Sequence, residues 1–123
     1  MSPIFLLHSA AGLAILVGAV HSVLGERYIL VRLFRRGDLP HLFGGDVFTR
    51  RTLRFAWHLT SVAWWGFAAL LLLLPFAPPL TRIADTVAVT FFVSAVVTFL
   101  GSRGRHLAWA LFLAIAALSW FAG

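Results

Sequence analysis

The sequence predicts an all-α integral membrane protein in which four transmembrane helices form an up-down-up-down four-helix bundle. Two observations lead to this prediction. Of the 123 residues, 61% are hydrophobic and only 11% are charged, with a mean hydropathy of +0.95, which is not the composition of a soluble domain. The apolar residues also fall into four runs, separated by arginines, glycines and prolines. Together the runs form a single transmembrane domain over residues 1–123.

The first apolar run covers residues 3–24 and predicts the first transmembrane helix. A helix of about twenty residues crosses the roughly 30 Å of hydrocarbon in a bilayer. Residues 26–36 predict an amphipathic, interfacial continuation, because apolar positions alternate there with arginines. Gly37 and Pro40 are expected to end it, and Asp46 is a candidate N-cap for the next helix.

The second span is predicted at 55–74 and ends at the proline cluster 75–79. The third is predicted at 83–100. It carries a row of hydroxyl side chains at intervals of four residues: Thr86, Thr90, Ser94 and Thr98. Such a row packs against a neighbouring helix or returns hydrogen bonds to its own backbone more often than it lines a channel.

The fourth span, 106–121, is short for a transmembrane helix, although Trp109 and Trp120 fit the two membrane interfaces. Nine of the ten arginines lie in the first and third connections, and only Arg82 lies in the second. The positive-inside rule makes those arginine-rich loops cytoplasmic, so both termini face the periplasm or exterior. Because the arginines flank apolar runs, we expect them to meet the bilayer and its anionic lipid headgroups, not nucleic acid.

Three histidines are predicted near the cytoplasmic ends of the spans: His21, His58 and His106. At a rise of about 1.5 Å per residue, their depths are close enough for the side chains to converge. Ionisable groups at this depth are costly and are therefore candidates for a functional site. The alternative is that each imidazole is a neutral packing residue, hydrogen-bonded to another helix.

Two kinds of site are compatible with these histidines. A b-type haem would take His21 and His58 as axial ligands, with Arg54, Arg103 or Arg105 near its propionates. A zinc, copper or iron ion would instead use an oxygen ligand, for which Glu26 is the candidate, and the three histidines His21, His58 and His106. Glu26 lies five residues after His21, off its face in an ideal helix, so it would need local flexibility to join. The sequence equally allows no cofactor.

Several chemistries are excluded or disfavoured by composition. The chain has no cysteine, which excludes disulfides, thiolate metal sites and a cysteine nucleophile. A di-iron carboxylate centre needs several glutamates, and the chain has one. No Ser/His/Asp arrangement, Walker loop or dinucleotide fingerprint is visible.

Two classes of function remain. The first is a protein that uses a haem or metal near the cytoplasmic face for electron transfer or metal-dependent chemistry. The second is a non-catalytic structural or accessory subunit with packing histidines and a membrane-protein partner or a second copy of itself. A small transporter is weaker, since one copy of this length offers little room for alternating access and no broken helix is evident.

Three short motifs carry a resemblance: His21-Ser22-x-Leu24-Gly25-Glu26, Arg54-x-x-x-His58-Leu59-Thr60-Ser61 and Arg105-His106. In this combination the chain resembles small uncharacterised four-span integral membrane proteins of bacteria. The resemblance covers essentially the whole chain. It implies the four-span topology and a location in the bacterial inner membrane, and it implies no activity.

Overall fold

The computed structural model describes all residues from 1 to 123, and they form four helices and no strands. We name them α1 (Pro3–Leu33), α2 (Val47–Phe76), α3 (Leu80–Ser102) and α4 (Ala108–Ala122). The first three are long and apolar enough to cross a membrane, whereas α4 has 15 residues. The prediction of an all-helical chain with four helices is confirmed.

Helix α1 begins where the sequence provides a cap. Ser2 accepts a hydrogen bond of 3.2 Å from the backbone N–H of Phe5, and Pro3 occupies the first helical position, where its missing N–H costs nothing. A π-helical stretch, Gly25–Leu30, then interrupts the α-helical pattern. The helix continues through this stretch to Leu33, so the continuation predicted at 26–36 is joined directly to the first span.

Arg50 fastens the start of α2 to the end of α1. Its guanidinium donates to Asp46 Oδ2 at 2.7 Å and to the backbone carbonyls of Phe34 and, at 3.2 Å, Arg36. These carbonyls lie beyond the end of α1, where no backbone N–H group of the helix is available to them. Asp46 stands at the predicted N-cap, but its carboxylate binds Arg50 and not an amide of α2. This hydrogen bond holds the pKa of Asp46 below its usual value.

The α2–α3 connection is tight. A 3-10 turn, Leu74–Phe76, ends α2, Ala77 adopts a left-handed conformation (φ 44°), and Pro79 precedes α3. Farther along the interface, α2 and α3 approach closely, since a Cβ on Gly66 would lie 2.5 Å from the Thr90 side chain. The hydroxyl row of α3 bonds mainly to its own helix: Thr86, Thr90 and Ser94 each donate to the carbonyl four residues earlier.

The helices pack in the order of the sequence. Helix α1 packs on α2, α2 on α3 and α3 on α4, and α1 makes no backbone contact with α3 or α4. The sequence predicted a bundle, whereas the helices form an open row. A physical reason is that small residues lie at the consecutive interfaces, such as Gly18, Gly66 and Ala116. Only 13 of the 123 residues are buried, so much apolar side-chain surface is exposed.

Candidate functional site

Five polar side chains meet between α1 and α2: Ser22 and Glu26 from α1, and Arg54, His58 and Ser61 from α2. We call them the α1–α2 polar cluster. On α1 the two residues are four apart, and on α2 the intervals are four and three. These spacings place each set on a single helix face, and the two faces oppose one another.

One end of the cluster is charged. Arg54 Nη2 lies 2.9 Å from Glu26 Oε1, and the other carboxylate oxygen of Glu26 lies 3.2 Å from His58 Nε2. The side chains of Glu26 and His58 are about one-third exposed, and that of Arg54 is half exposed. Glu26 therefore holds two α2 residues at once, one through each oxygen.

The other end of the cluster is neutral and more deeply buried. His58 Nδ1 lies 3.0 Å from Ser22 Oγ, which lies 2.7 Å from Ser61 Oγ. Ser61 is buried and donates to the backbone carbonyl of Gly18 at 2.7 Å. The result is an unbroken hydrogen-bonded chain from the Arg54 guanidinium to the backbone of α1.

The directions of these hydrogen bonds follow from the groups involved. Ser61 has one hydroxyl proton and gives it to Gly18, because a carbonyl only accepts. Ser22 must then donate to Ser61, and His58 Nδ1–H must donate to Ser22. His58 Nε2 faces Glu26 Oε2 at 3.2 Å, so the imidazole contacts both polar residues of the α1 face.

His21 lies beside the cluster but is occupied by two tryptophans. Its ring stacks on Trp57 at 4.5 Å, with an interplanar angle of 3°, and meets the edge of Trp64 at 5.0 Å. His21 Nε2 donates to the Trp57 carbonyl at 3.2 Å, and Trp57 Nε1 donates to the His21 carbonyl at 3.0 Å. The geometry is that of a packing histidine with a satisfied nitrogen.

Two glycines of α1 admit the tryptophans of α2. A Cβ on Gly25 would overlap the Trp57 indole, and one on Gly18 would lie 2.5 Å from Trp65 Nε1. Trp65 Nε1 also donates to the Ile15 carbonyl at 3.1 Å. Neither tryptophan was predicted to take part in the site. The glycines on both sides of His21 were the signal that a bulky neighbour could approach.

The structure does not bring His106 to His21 and His58. His106 precedes α4, stacks on Phe48 at 5.8 Å and meets the edge of Phe55 at 5.2 Å. Its Nδ1 accepts from the backbone N–H of Ala108 at 3.3 Å, which helps to cap α4. These contacts involve neither His21 nor His58, and α1 makes no backbone contact with α4.

The residues predicted to hold a haem or metal contact other protein groups in this arrangement. Both ring nitrogens of His58 are within hydrogen-bonding distance of cluster residues, and Arg54 is paired with Glu26 and not directed to a propionate. Arg105 faces a different cavity. No group of three or more His, Cys, Asp or Glu side chains in the chain is arranged to hold a metal.

Ser22, His58 and Glu26 have the atomic order of a Ser–His–acid triad, an arrangement that the sequence analysis did not find. The proton directions differ from those of a nucleophilic serine, which donates to its histidine. Here Ser22 donates to Ser61. The signal in the sequence is the four-residue interval from Ser22 to Glu26, whereas Glu26 was expected off the site face because it lies five residues after His21.

No protein-family model, curated protein or solved structure matches this chain. The contacts of the α1–α2 polar cluster are therefore the basis for a functional proposal.

Proposed function

We propose that the protein is a non-catalytic accessory subunit of the bacterial inner membrane, in which the α1–α2 polar cluster fastens two transmembrane helices to each other. The observation that carries the proposal is the engagement of His58, whose two ring nitrogens contact Ser22 and Glu26. A histidine held in this way is a structural link between helices. Its side chain joins both polar residues of the α1 face.

The placement in the membrane is supported by the lengths and contacts of the helices. Helices α1, α2 and α3 have mean hydropathies of 2.0, 1.8 and 2.0 over their most apolar windows. Contacts pair Gly18 with Trp65 and Gly25 with Trp57, so residue numbers rise along α1 as they fall along α2. This pattern supports an up-down topology, with the arginine-rich connections on the cytoplasmic side.

Polar links suit helix association in a bilayer. Lipid chains are as apolar as leucine, so hydrophobic burial does not draw transmembrane helices together, and interhelical hydrogen bonds contribute about 0.6 kcal/mol on average and up to about 1.7 kcal/mol. The α1–α2 polar cluster contains several such bonds in sequence. Losing one partner also leaves a buried polar group unpaired, which costs about 1–3 kcal/mol.

The role of an accessory subunit is supported by α1. This helix packs only on α2, and large apolar residues on its remaining faces are exposed, among them Leu13 (67%), Leu16 (60%) and Val23 (62%). In a membrane these faces meet lipid or a partner. A helix that is fixed to α2 on one side and exposes apolar side chains elsewhere is suited to dock against a partner.

Metal analysis and absorption spectroscopy of the full chain, purified in neutral detergent without a histidine tag, test the non-catalytic assignment. We expect iron, zinc and copper each below about a tenth of the chain count, and no haem absorbance. Near-stoichiometric metal or haem that is lost in His58→Gln would overturn the proposal. Ser94→Ala is the matched control, because Ser94 bonds only within α3.

The contact between the His58 imidazole and the Glu26 carboxylate favours a second candidate function, a proton-binding element of the membrane. The groups that face His58 are Glu26 and Ser22 from α1 and Arg54 from its own helix. The charged residues of α3, Arg82 and Asp85, lie at the opposite end beside Leu73. Nitrogen-15 NMR of the histidine rings distinguishes the two candidates. If His58 and Glu26 share a proton, the His58 signal changes when Glu26 is replaced by Gln. An unchanged signal eliminates the proton-binding function.

A further inference from the structure

The loop before α2 and the turn before α4 enclose a cavity of about 420 Å³ that is lined by three arginines: Arg51, Arg103 and Arg105. It lies apart from the α1–α2 polar cluster. No acidic side chain lines it. The cavity therefore concentrates unpaired positive charge around a concave surface.

The three arginines are free of protein partners. Of the four acidic residues, Asp38, Asp46 and Glu26 pair with Arg36, Arg50 and Arg54. The fourth, Asp85, lines a different cavity with Arg82. No carboxylate remains for the guanidinium groups at this cavity, so their counter-charge must come from outside the chain.

Backbone geometry directs two of these arginines. Arg103 ends α3 in a left-handed conformation (φ 52°), and Gly104 follows at φ 75° and donates to the Phe99 carbonyl at 2.8 Å. This turn reverses the chain within two residues and places Arg103 and Arg105 on the same cavity. A left-handed arginine is uncommon, and the surrounding turn maintains it.

Aromatic contacts position the loop before α2, which forms the other side of the cavity. Phe43 meets the edge of Phe48 at 5.1 Å, and Phe48 stacks on His106 at 5.8 Å. The loop before α2 is thereby packed against the segment before α4. The first turn of α2 also borders the cavity through Val47 and Phe48, and no side chain caps its amide groups. These amides add partial positive charge to that of Arg51.

We propose that this cavity binds the phosphate group of an anionic phospholipid. Guanidinium groups pair with phosphate oxygens through two parallel hydrogen bonds, and three of them around one cavity match an anion with several acceptor oxygens. Leu42 (50% exposed) and Phe43 (85% exposed) lie at the rim, so an apolar surface accompanies the charge. That combination is typical of a bilayer interface, and the lipid source rests on the membrane placement proposed above.

Native mass spectrometry of the full chain, released from neutral detergent with phosphatidylglycerol or phosphatidylcholine, tests the proposal. We expect phosphatidylglycerol to bind at least about tenfold more tightly than phosphatidylcholine, since each arginine near an anionic headgroup contributes about fivefold. Arg51→Gln/Arg103→Gln/Arg105→Gln should lose this preference. The matched control is Arg27→Gln/Arg32→Gln/Arg35→Gln, which removes the same charge from α1 and the residues that follow it. These arginines also have no carboxylate partner, and the control should retain the preference for phosphatidylglycerol.

The outcomes separate the alternatives. Equal loss in both triple variants, or equal binding of the two lipids by the unaltered chain, overturns the site. If millimolar inorganic phosphate displaces phosphatidylglycerol, the cavity binds phosphate, but the proposal that its ligand is a lipid is overturned. Circular dichroism checks that the variants are folded, and if the triple variant is not, Arg105→Gln alone should weaken phosphatidylglycerol binding about fivefold.

Discussion

Ser61 donates a hydrogen bond of 2.7 Å to the carbonyl of Gly18, across the interface of α1 and α2. Ser61 is 1% exposed, and its oxygen also accepts from Ser22. One small hydroxyl therefore joins the backbone of one helix to the polar cluster of both.

Replacing Ser61 by alanine should weaken the chain measurably. The substitution removes two interhelical hydrogen bonds and leaves Ser22 without its acceptor, so we expect a loss of about 1–2 kcal/mol in the free energy of unfolding. Reversible unfolding in sodium dodecyl sulfate, followed by tryptophan fluorescence, measures it. Ser94→Ala is the control, because Ser94 donates only to Thr90 of its own helix, and it should change stability by less than about 0.5 kcal/mol. Equal effects would contradict an interhelical role for Ser61.

Gly25→Ala should separate α1 from α2. The new Cβ would overlap the indole of Trp57, and overpacking of this kind costs about 1–3 kcal/mol. Gly12 has no atom within 4 Å of its would-be Cβ, so Gly12→Ala should be neutral or stabilise the helix by about 0.5–1 kcal/mol. The same unfolding assay compares the two. A stable Gly25→Ala variant would show that Trp57 does not pack against α1.

Asp46→Asn should release the connection between α1 and α2. Asp46 has a pKa below its usual value because Arg50 donates to it, so the interaction is present in neutral solution and is lost as the pH falls through the folded-state pKa, below about 3.9. We expect hydrogen exchange in residues 34–46 to be several-fold faster in the variant at neutral pH, and the acid dependence of its unfolding to be smaller.

Asp38→Asn is the control for this experiment. Asp38 also has a lowered pKa, caused by Arg36, but the two side chains are 65% and 63% exposed and join no other segment. Its replacement should leave exchange in the rest of the connection unchanged. Equal acceleration by both variants would contradict the role assigned to Arg50.

His106→Phe should lose only the hydrogen bond from Ala108, whereas His106→Ala should also lose the ring contacts and with them about 0.5–1.5 kcal/mol more. The reason is that His106 contacts the rings of Phe48 and Phe55, and an aromatic side chain preserves those contacts. Thermal unfolding with and without a metal chelator provides the measurement. If both variants lost stability equally, and the chelator reproduced the loss, His106 would be a metal ligand, as the sequence first suggested.

The positions of the helices were predictable, because they follow the apolar runs and the glycines and prolines that interrupt those runs. Trp65 packs at Gly18 and Trp57 packs at Gly25, and these two glycines flank His21 in the sequence. Rotation of the helices was not predictable. It depends on which bulky α2 residue enters which α1 glycine, and a single sequence does not encode that pairing in any period.

The α1–α2 polar cluster also depends on the rotation of the helices. Ser22 and Glu26 are four residues apart, as are Arg54 and His58, but only the packed structure shows that the two faces meet. His106 contacts Phe48 and Phe55 instead of His21 and His58, because similar depth does not imply the same interface. In an open row of helices, α2 and α3 separate α1 from α4.

The most direct test of the account is a double-mutant cycle between Glu26 and His58 in the detergent unfolding assay, using Glu26→Ala, His58→Ala and the double variant. If the α1–α2 polar cluster fastens the helices, the two substitutions should be coupled by about 0.5–1.5 kcal/mol, because removing either residue already breaks their shared link. Strictly additive effects would contradict the link and, with it, the proposed role of the cluster.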